Sequence, residues 1–376
     1  MPPRTTQWPI EPHTQAKHLI LSRYLKAWLP IMASFNGRIV YIDAFAGPGR
    51  YSKGEEGSPL ISLNALLDNP LFQSARRKCN VVFFFIEEDG ERAKALQEEL
   101  NLLRSNRPLP RWVDYKLING QFAPEMTGIL DVIEREGKLL APTFAFIDPF
   151  GYSGVPLEVI ARIARNPSCE CLITFVYESI IRHGGKPEGW VQRHIEQLFG
   201  TTEWKGILEG DNPRERLTKA VELYHDQLVK HAKFKYVRTF SMYDKTNQAE
   251  YVLFFGTNNR KGLSVMKQAM WKADPLSGQV FSDRTDAGQM VLLKPGDDLG
   301  LRYHLQQKFR GAGYIPIQEI EDFVLEQTAY SEAMHLRKQT LAPMERATPP
   351  LINVKRPIGA QNRRGTYPDG TRVEFL

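Results

Sequence analysis

Three carboxylates close apolar runs in this sequence: Asp43 in RIVYIDAF, Glu87 in VVFFFIE and Asp148 in TFAFID. The first leads at once into Phe45-Ala46-Gly47-Pro48-Gly49, and the last into Pro149-Phe150-Gly151-Tyr152. A carboxylate at a strand end can accept hydrogen bonds from a ligand's hydroxyl or amine groups. A Gly-x-Gly turn lets the backbone approach where a side chain would intrude. Singly, each acid is also what any strand end turned toward water contains. Jointly they read as a ligand site, with Asp43, Phe45, Gly47 and Gly49 on one turn and Glu87 placed for the two hydroxyls of a ribose. The fingerprint of a dinucleotide site is incomplete, because Arg50, Tyr51 and Ser52 follow Gly49 where a third glycine belongs.

These residues need a sheet to hold them. Residues 38–45, 81–87, 113–118, 143–148 and 171–177 are short aromatic-rich or β-branched runs, and helical patterns at 59–68, 90–104, 124–137 and 155–165 separate them. Continuous apolar strands alternating with helices predict a doubly wound α/β sheet, mostly parallel and covered on both faces. An amphipathic helix over 13–33 precedes it, opening with Thr14 and Lys17. After the fifth strand a longer helical insertion spans 178–233, and 235–243 with 251–256 forms a hairpin that gives the sheet an antiparallel last strand. The texture changes near 300. Three short helices, then two strands around the basic loop GAQNRRG, are the pattern of a winged helix-turn-helix. The expected domains are therefore 1–290 and 300–376.

The 376-residue chain is 42% hydrophobic and 24% charged, which is the composition of a globular protein. No run approaches the roughly 20 apolar residues of a membrane span, and the N-terminus has no apolar leader. Cys79, Cys169 and Cys171 are too few for a disulfide framework and read as structural rather than metal-ligating, so the expectation is a cytoplasmic protein without a metal. The formal net charge of +6 permits an anionic partner without requiring one. Arg337, Lys338, Lys355, Arg356, Arg363 and Arg364 are spaced to meet nucleic-acid phosphates, or form a solvated tail. His183, His194, His225 and His231 lack ligand spacing, and the loop 50–57 reads equally as a lid or a solvated insertion.

The Asp-x-Phe-x-Gly-x-Gly turn resembles motif I of class I S-adenosylmethionine methyltransferases, and the antiparallel last strand resembles that fold. FIDPFGYSG resembles motif IV of enzymes that methylate exocyclic amines of bases. On that likeness Asp148 and the Pro149 carbonyl would accept the amine's N–H groups, with Phe150 or Tyr152 stacking on the base. Thr14 and Lys17 would flank the cofactor, and Gln121, in the NGQF turn, would meet the adenine edge. Over nearly its whole length the sequence resembles the three-Cys-motif partner (TcmP) family, through HTQAKHLILSRYLKAWLP, YIDAFAGPGRYSKGEEGSPLISL, FIDPFGYSGVP, MKQAMWKADP and RRGTYPDGTRVEFL. The resemblance implies a methyltransferase-like domain, a winged-helix domain and a separate partner that carries the three cysteines. Three functions remain open: a methyltransferase acting on DNA or RNA, a non-catalytic adaptor, and a small-molecule methyltransferase with 178–233 as its cap.

Overall fold

A computed structural model describes residues 5–73, 79–177, 180, 189–208, 212–246, 248–283, 299–359 and 363–376. The chain divides into two compact units, Met1–Gly262 with Phe281–Arg284, and Leu263–Val280 with Thr285–Leu376. The division falls earlier than the boundary expected between 290 and 300. From Leu263 on, the helix Arg260–Ala273 belongs to the C-terminal unit, where Lys267 and Trp271 donate to backbone carbonyls between Val324 and Ala329.

In the first unit, helix α1 (Pro12–Phe35) leads to β1 (Arg38–Asp43), then β2 (Asn80–Glu87), β3 (Val113–Asn119), β4 (Thr143–Ile147) and β5 (Glu170–Phe175). Helix α2 (Ser58–Leu67) follows β1, and α3 (Gly90–Asn106) follows β2. The hairpin is β6 (Tyr236–Tyr243) with β7 (Ala249–Thr257), and β8 (Val280–Ser282) is the edge. The sheet order is β3-β2-β1-β4-β5-β7-β6-β8, parallel from β3 to β5 and antiparallel where β7 enters. The expected parallel sheet with an antiparallel strand near its end is what forms. Of the expected insertion, 178–179, 181–188 and 209–211 lie outside the described residues. Helices Gly189–Phe199 and Pro213–Lys230 fall within it.

The pleat divides the aromatic residues. Tyr41, Phe83, Phe85 and Phe144 pack on the face that Tyr24 and Trp28 of α1 cover, with Tyr24 and Phe144 centroids 5.0 Å apart. Val40, Ile42, Ala145, Ile147 and Ile173 join the core on the other side, together with Cys169 and Cys171. All three cysteines are buried free thiols. Tyr24 also donates a 2.7 Å hydrogen bond to the buried Glu170, which accepts a second at 2.6 Å from Thr257. Burial raises the Glu170 pKa, and these two hydroxyls act against that rise. The result fixes α1 along the sheet.

The C-terminal unit contains the helix Leu299–Phe309, β9 (Ile315–Pro316), the helix Ile317–Gln327, a π-helical segment Glu332–Leu341, the short helix Ala342–Arg346, β10 (Ile352–Lys355) and β11 (Arg372–Phe375). Its three strands are antiparallel in the order β10-β11-β9. Leu305, Ile320, Leu336 and Val373 lie at the centre of its core. The loop between β10 and β11 is fastened at its base. Glu345 accepts from Arg356 at 2.6 Å, from the Gly365 amide at 2.7 Å and from the Tyr367 hydroxyl at 3.0 Å.

One buried cation supports this unit. Lys267 is 1% exposed, and its Nζ donates to the carbonyls of Val324 (2.9 Å), Leu325 (2.8 Å) and Thr328 (3.1 Å) at the end of the helix Ile317–Gln327. Helix-end carbonyls buried without donors cost free energy, and a cation there also suits the helix dipole. Lys267→Met keeps the apolar stem and strands the carbonyls, so it should destabilise the protein by about 2–4 kcal/mol in urea unfolding. A loss below about 0.5 kcal/mol would show that the carbonyls find other donors.

Candidate active site

In open α/β sheets the crevice forms where strand order reverses, at the carboxyl ends of the strands. Here the reversal lies between β1 and β4, and a cavity of about 330 Å³ opens there. Its walls are the turn Phe45–Tyr51 after β1, Asp148–Phe150 after β4, and Thr174 and Val176 at the end of β5. Thr14, Lys17 and His18 of α1 and the preceding Trp8 close one side. Because β7 runs backwards, its first residues, Glu250 and Tyr251, reach the same end of the sheet and complete the wall.

The two glycines of the turn do different work. Gly47 has φ +65°, and a Cβ there would meet nothing within 4 Å, so its bare side faces open space. Its amide donates to Glu87 Oε2 at 2.7 Å, which ties the turn after β1 to the end of β2. Gly49 has φ +86°, and a Cβ there would stand 3.0 Å from Leu96 Cδ1 on α3. Gly49 is bare for close packing on that helix, and its backbone also lines the cavity.

Glu87 is engaged at both oxygens, since its Oε1 accepts the Asp89 amide at 3.0 Å. Burial raises its pKa, against the pull of these amides. It does not line the cavity, although each oxygen retains a second lone pair. Asp43 lies deeper still, fully buried behind the turn. Tyr41 reaches its Oδ2 at 3.3 Å, while Oδ1 has no hydrogen-bond partner among the described residues. Burial pushes the Asp43 pKa up to about 7, and the nearby Asp148 charge adds to the rise. Hydrogen bonds from Ser58, Tyr41 and the Phe45 amide oppose it. Gln121 is exposed and bonds Glu88 at 2.5 Å, outside this cavity.

The far wall departs most from expectation. Lys17 is 5% exposed, and its Nζ lies 2.7 Å from Asp148 Oδ1 and 2.6 Å from Oδ2. The Tyr251 ring lies 4.7 Å from the same ammonium. Lys17 thus pairs with the acid at the end of β4 and engages both of its oxygens. Tyr152, one of the two residues expected to stack on a base, is buried in the core instead, where its ring packs among the apolar side chains on the far side of the sheet. Phe150 does line the cavity, edge-on to Trp8 at 5.5 Å, and the Arg92 guanidinium sits 5.1 Å from its ring. His18 is neutral at physiological pH, because burial and then Lys17 lower its pKa to about 4. Thr14 does not cap α1, whose N-cap is Glu11, and it faces the cavity near Tyr251.

The loop 50–57 is built rather than loose. Arg50 bridges Glu56 and donates to Glu99 at 2.8 Å, the Gly57 amide donates to Gly49 at 2.7 Å, and the Ser52 amide donates to Trp8 at 3.0 Å. It presents Tyr51 to the cavity. Trp8, Tyr51, Thr174, Glu250 and Tyr251 are wall residues that no sequence motif marked. The antiparallel sense of the last hairpin was the available signal for Glu250 and Tyr251, because it brings the start of β7 to the ligand end.

The basic set of the C-terminal unit divides in two. Arg337, still partly exposed, pairs with Glu321 at 2.8 Å, and the Arg356 side chain is buried against Glu345, where it serves the fold. Lys338, Lys355, Arg363 and Arg364 are exposed, with Lys355 lying 3.8 Å over the Tyr314 ring.

Neither a protein-family model nor a curated protein matches the chain. Similar solved structures include a methyltransferase, described as putative in its source, from Porphyromonas gingivalis W83, at 12% identity over 58% of this chain and 37% of that one (TM-score 0.26). A precorrin-6y C5,15-methyltransferase from Geobacter metallireducens GS-15 is similar at 14% identity over 61% and 85% (TM-score 0.28). The methyltransferase domain of bacterial CtHen1-C is similar at 11% identity over 63% and 98% (TM-score 0.29). The chain thus spans little more than a third of the first of these. The overlaps are slight, and the strand order itself gives the architecture: a doubly wound α/β sheet with an antiparallel last hairpin and its cavity at the switch point.

Asp43 gives this site a pH signature. Its folded pKa lies above the unfolded value of 3.8, so its neutral form contributes stability that is complete below pH 3.8 and lost as pH rises through about 7. Relative to Asp43→Asn, the wild type should lose up to about 4 kcal/mol between pH 4 and 8 in urea unfolding. Parallel stability curves for the two proteins would contradict the raised pKa.

Proposed function

We propose that this protein is an S-adenosylmethionine-dependent methyltransferase whose substrate is a nucleic acid. The observation that carries the reading is the cavity at the β1/β4 switch point, walled by the glycine turn on one side and by an acid with its lysine on the other. The residues suit the cofactor. Gly47 leaves open the side on which a methionine chain would lie, and the unpartnered Asp43 Oδ1 is an acceptor awaiting a donor such as an ammonium. Phe45 and the turn backbone would hold the methionine half, while Glu87 and Gln121, which lie outside the cavity, would serve the ribose and adenine of a cofactor that runs past the turn toward the ends of β2 and β3. When bound, the cofactor supplies an electrophilic methyl group. Asp148, Lys17, the Pro149 carbonyl and Phe150 then form the acceptor wall, which orients the nucleophile and excludes water.

The C-terminal unit supports a nucleic-acid partner. Its order of helix, strand, three helical segments, strand, loop and strand suits a winged helix-turn-helix, and exposed Lys355, Arg363 and Arg364 flank or occupy the loop that would be the wing. Phosphate neutralisation by such residues would supply affinity without reading sequence. The likeness to the three-Cys-motif partner family adds a second, protein partner, and the few cysteines suit a cytoplasmic setting. An adaptor would need no lysine–aspartate pair, with its lysine buried, facing such a cavity, so the enzyme reading is preferred.

Calorimetry with S-adenosylhomocysteine tests the reading. The wild type should bind one equivalent, with a micromolar or tighter Kd as ordinary cofactor sites do. Absence of binding by both S-adenosylmethionine and S-adenosylhomocysteine would overturn it.

A further inference from the structure

We propose that the methyl acceptor is the ribose 2′-hydroxyl of RNA rather than a base amine, with Lys17 and Asp148 acting together on its oxygen. This rests on the methyltransferase reading above and names the substrate group of that same cavity.

The Lys17 ammonium touches both Asp148 oxygens, at 2.7 and 2.6 Å, and is 5% exposed. An ammonium only donates hydrogen bonds. The exocyclic amine of a base also presents donors here, because its lone pair is conjugated into the ring, so donor would face donor. A hydroxyl fits the pair on both counts, accepting from Lys17 while donating to Asp148.

The sign of charge in the transition state points the same way. An attacking amine nitrogen becomes cationic, which an isolated carboxylate would favour, but Lys17 cancels the Asp148 charge at contact distance. An attacking hydroxyl oxygen develops negative charge as its proton leaves, and an ammonium already in place stabilises it without reorganisation. In the step itself, the hydroxyl oxygen bonds to the methyl carbon of the sulfonium donor. The carbon–sulfur bond breaks, and its electron pair stays on sulfur to give a neutral thioether. The hydroxyl proton passes to the Asp148 carboxylate and then to water, while Lys17 keeps its protons throughout. Among the groups of a nucleic acid, the hydroxyl that recurs along the strand is the ribose 2′-OH, and DNA lacks it.

The test uses the full chain, labelled S-adenosylmethionine, and RNA and DNA of matched sequence. Label should enter RNA alone and remain in alkali-resistant linkages, the mark of a 2′-O-methyl group. Lys17→Met should lower the rate by about 10²-fold or more while S-adenosylhomocysteine affinity stays within about threefold, and Lys17→Arg should keep part of the rate. In the cofactor-free protein, Lys17→Met should also erase a preference for ribo- over deoxyribo-oligonucleotides, read by fluorescence anisotropy. Label on a base, in RNA or DNA, overturns the inference and leaves the methyltransferase reading standing. Transfer only to small metabolites, or none despite cofactor binding, overturns the nucleic-acid reading with it. The linkage formed by the wild type decides the matter even where a variant fails to fold.

Discussion

The ion pair between Lys17 and Asp148 is the constraint on which the site depends. It joins the N-terminal helix to the end of β4 across the crevice where the sheet order reverses. Withdrawing two charges from water is costly, and a well-packed apolar pair would often serve stability as well or better. Stability alone therefore gives little reason for such a pair, with its lysine buried and its aspartate partly open to the cavity. Its geometry is set at a distance: Tyr24 and Trp28 seat α1 on the aromatic face of the sheet, and Glu170 holds Tyr24 in place. Lys17 projects into the cavity because the rest of its helix is fixed.

The opposite wall follows the same logic with different groups. Glu87 spends its carboxylate on the amides of Gly47 and Asp89, and so shapes the turn that a cofactor would meet. Asp43 sits behind that turn, held near its own titration point by burial. One acid organises the backbone, one is buried with an oxygen that no described residue bonds, and one is paired with a lysine. Three carboxylates at three strand ends thus carry three different electrostatic roles, each set by what surrounds it.

The sheet was legible in the sequence because its strands are continuous apolar runs ending on acids, and the reversed hairpin because a polar turn separates two β-branched segments. Asp43, Glu87 and Asp148 were legible for the same reason, since an acid closing an apolar run is visible in one dimension. What the acids face was not. Lys17 stands far from Asp148 in the chain, and only the docking of α1 makes them partners. The separate tasks of Gly47 and Gly49 depend on where α3 passes, and local sequence does not say that. Tyr152 shows the opposite error, a residue adjacent to the motif that the chain turns into the core. In the C-terminal unit, spacing alone cannot tell Arg356, buried on Glu345, from Arg363, open to solvent.

A cofactor held in the crevice between the ends of β1 and β4 would have its acceptor wall at Asp148. A crystal structure with S-adenosylhomocysteine tests it most directly. The account predicts the ligand's methionine half along the Gly47 turn, an ammonium drawing Asp43 Oδ1 into a hydrogen bond, and the sulfur turned toward Lys17 and Asp148. A ligand bound elsewhere on the protein, with this crevice left open and Asp43 Oδ1 still unpartnered, would contradict it.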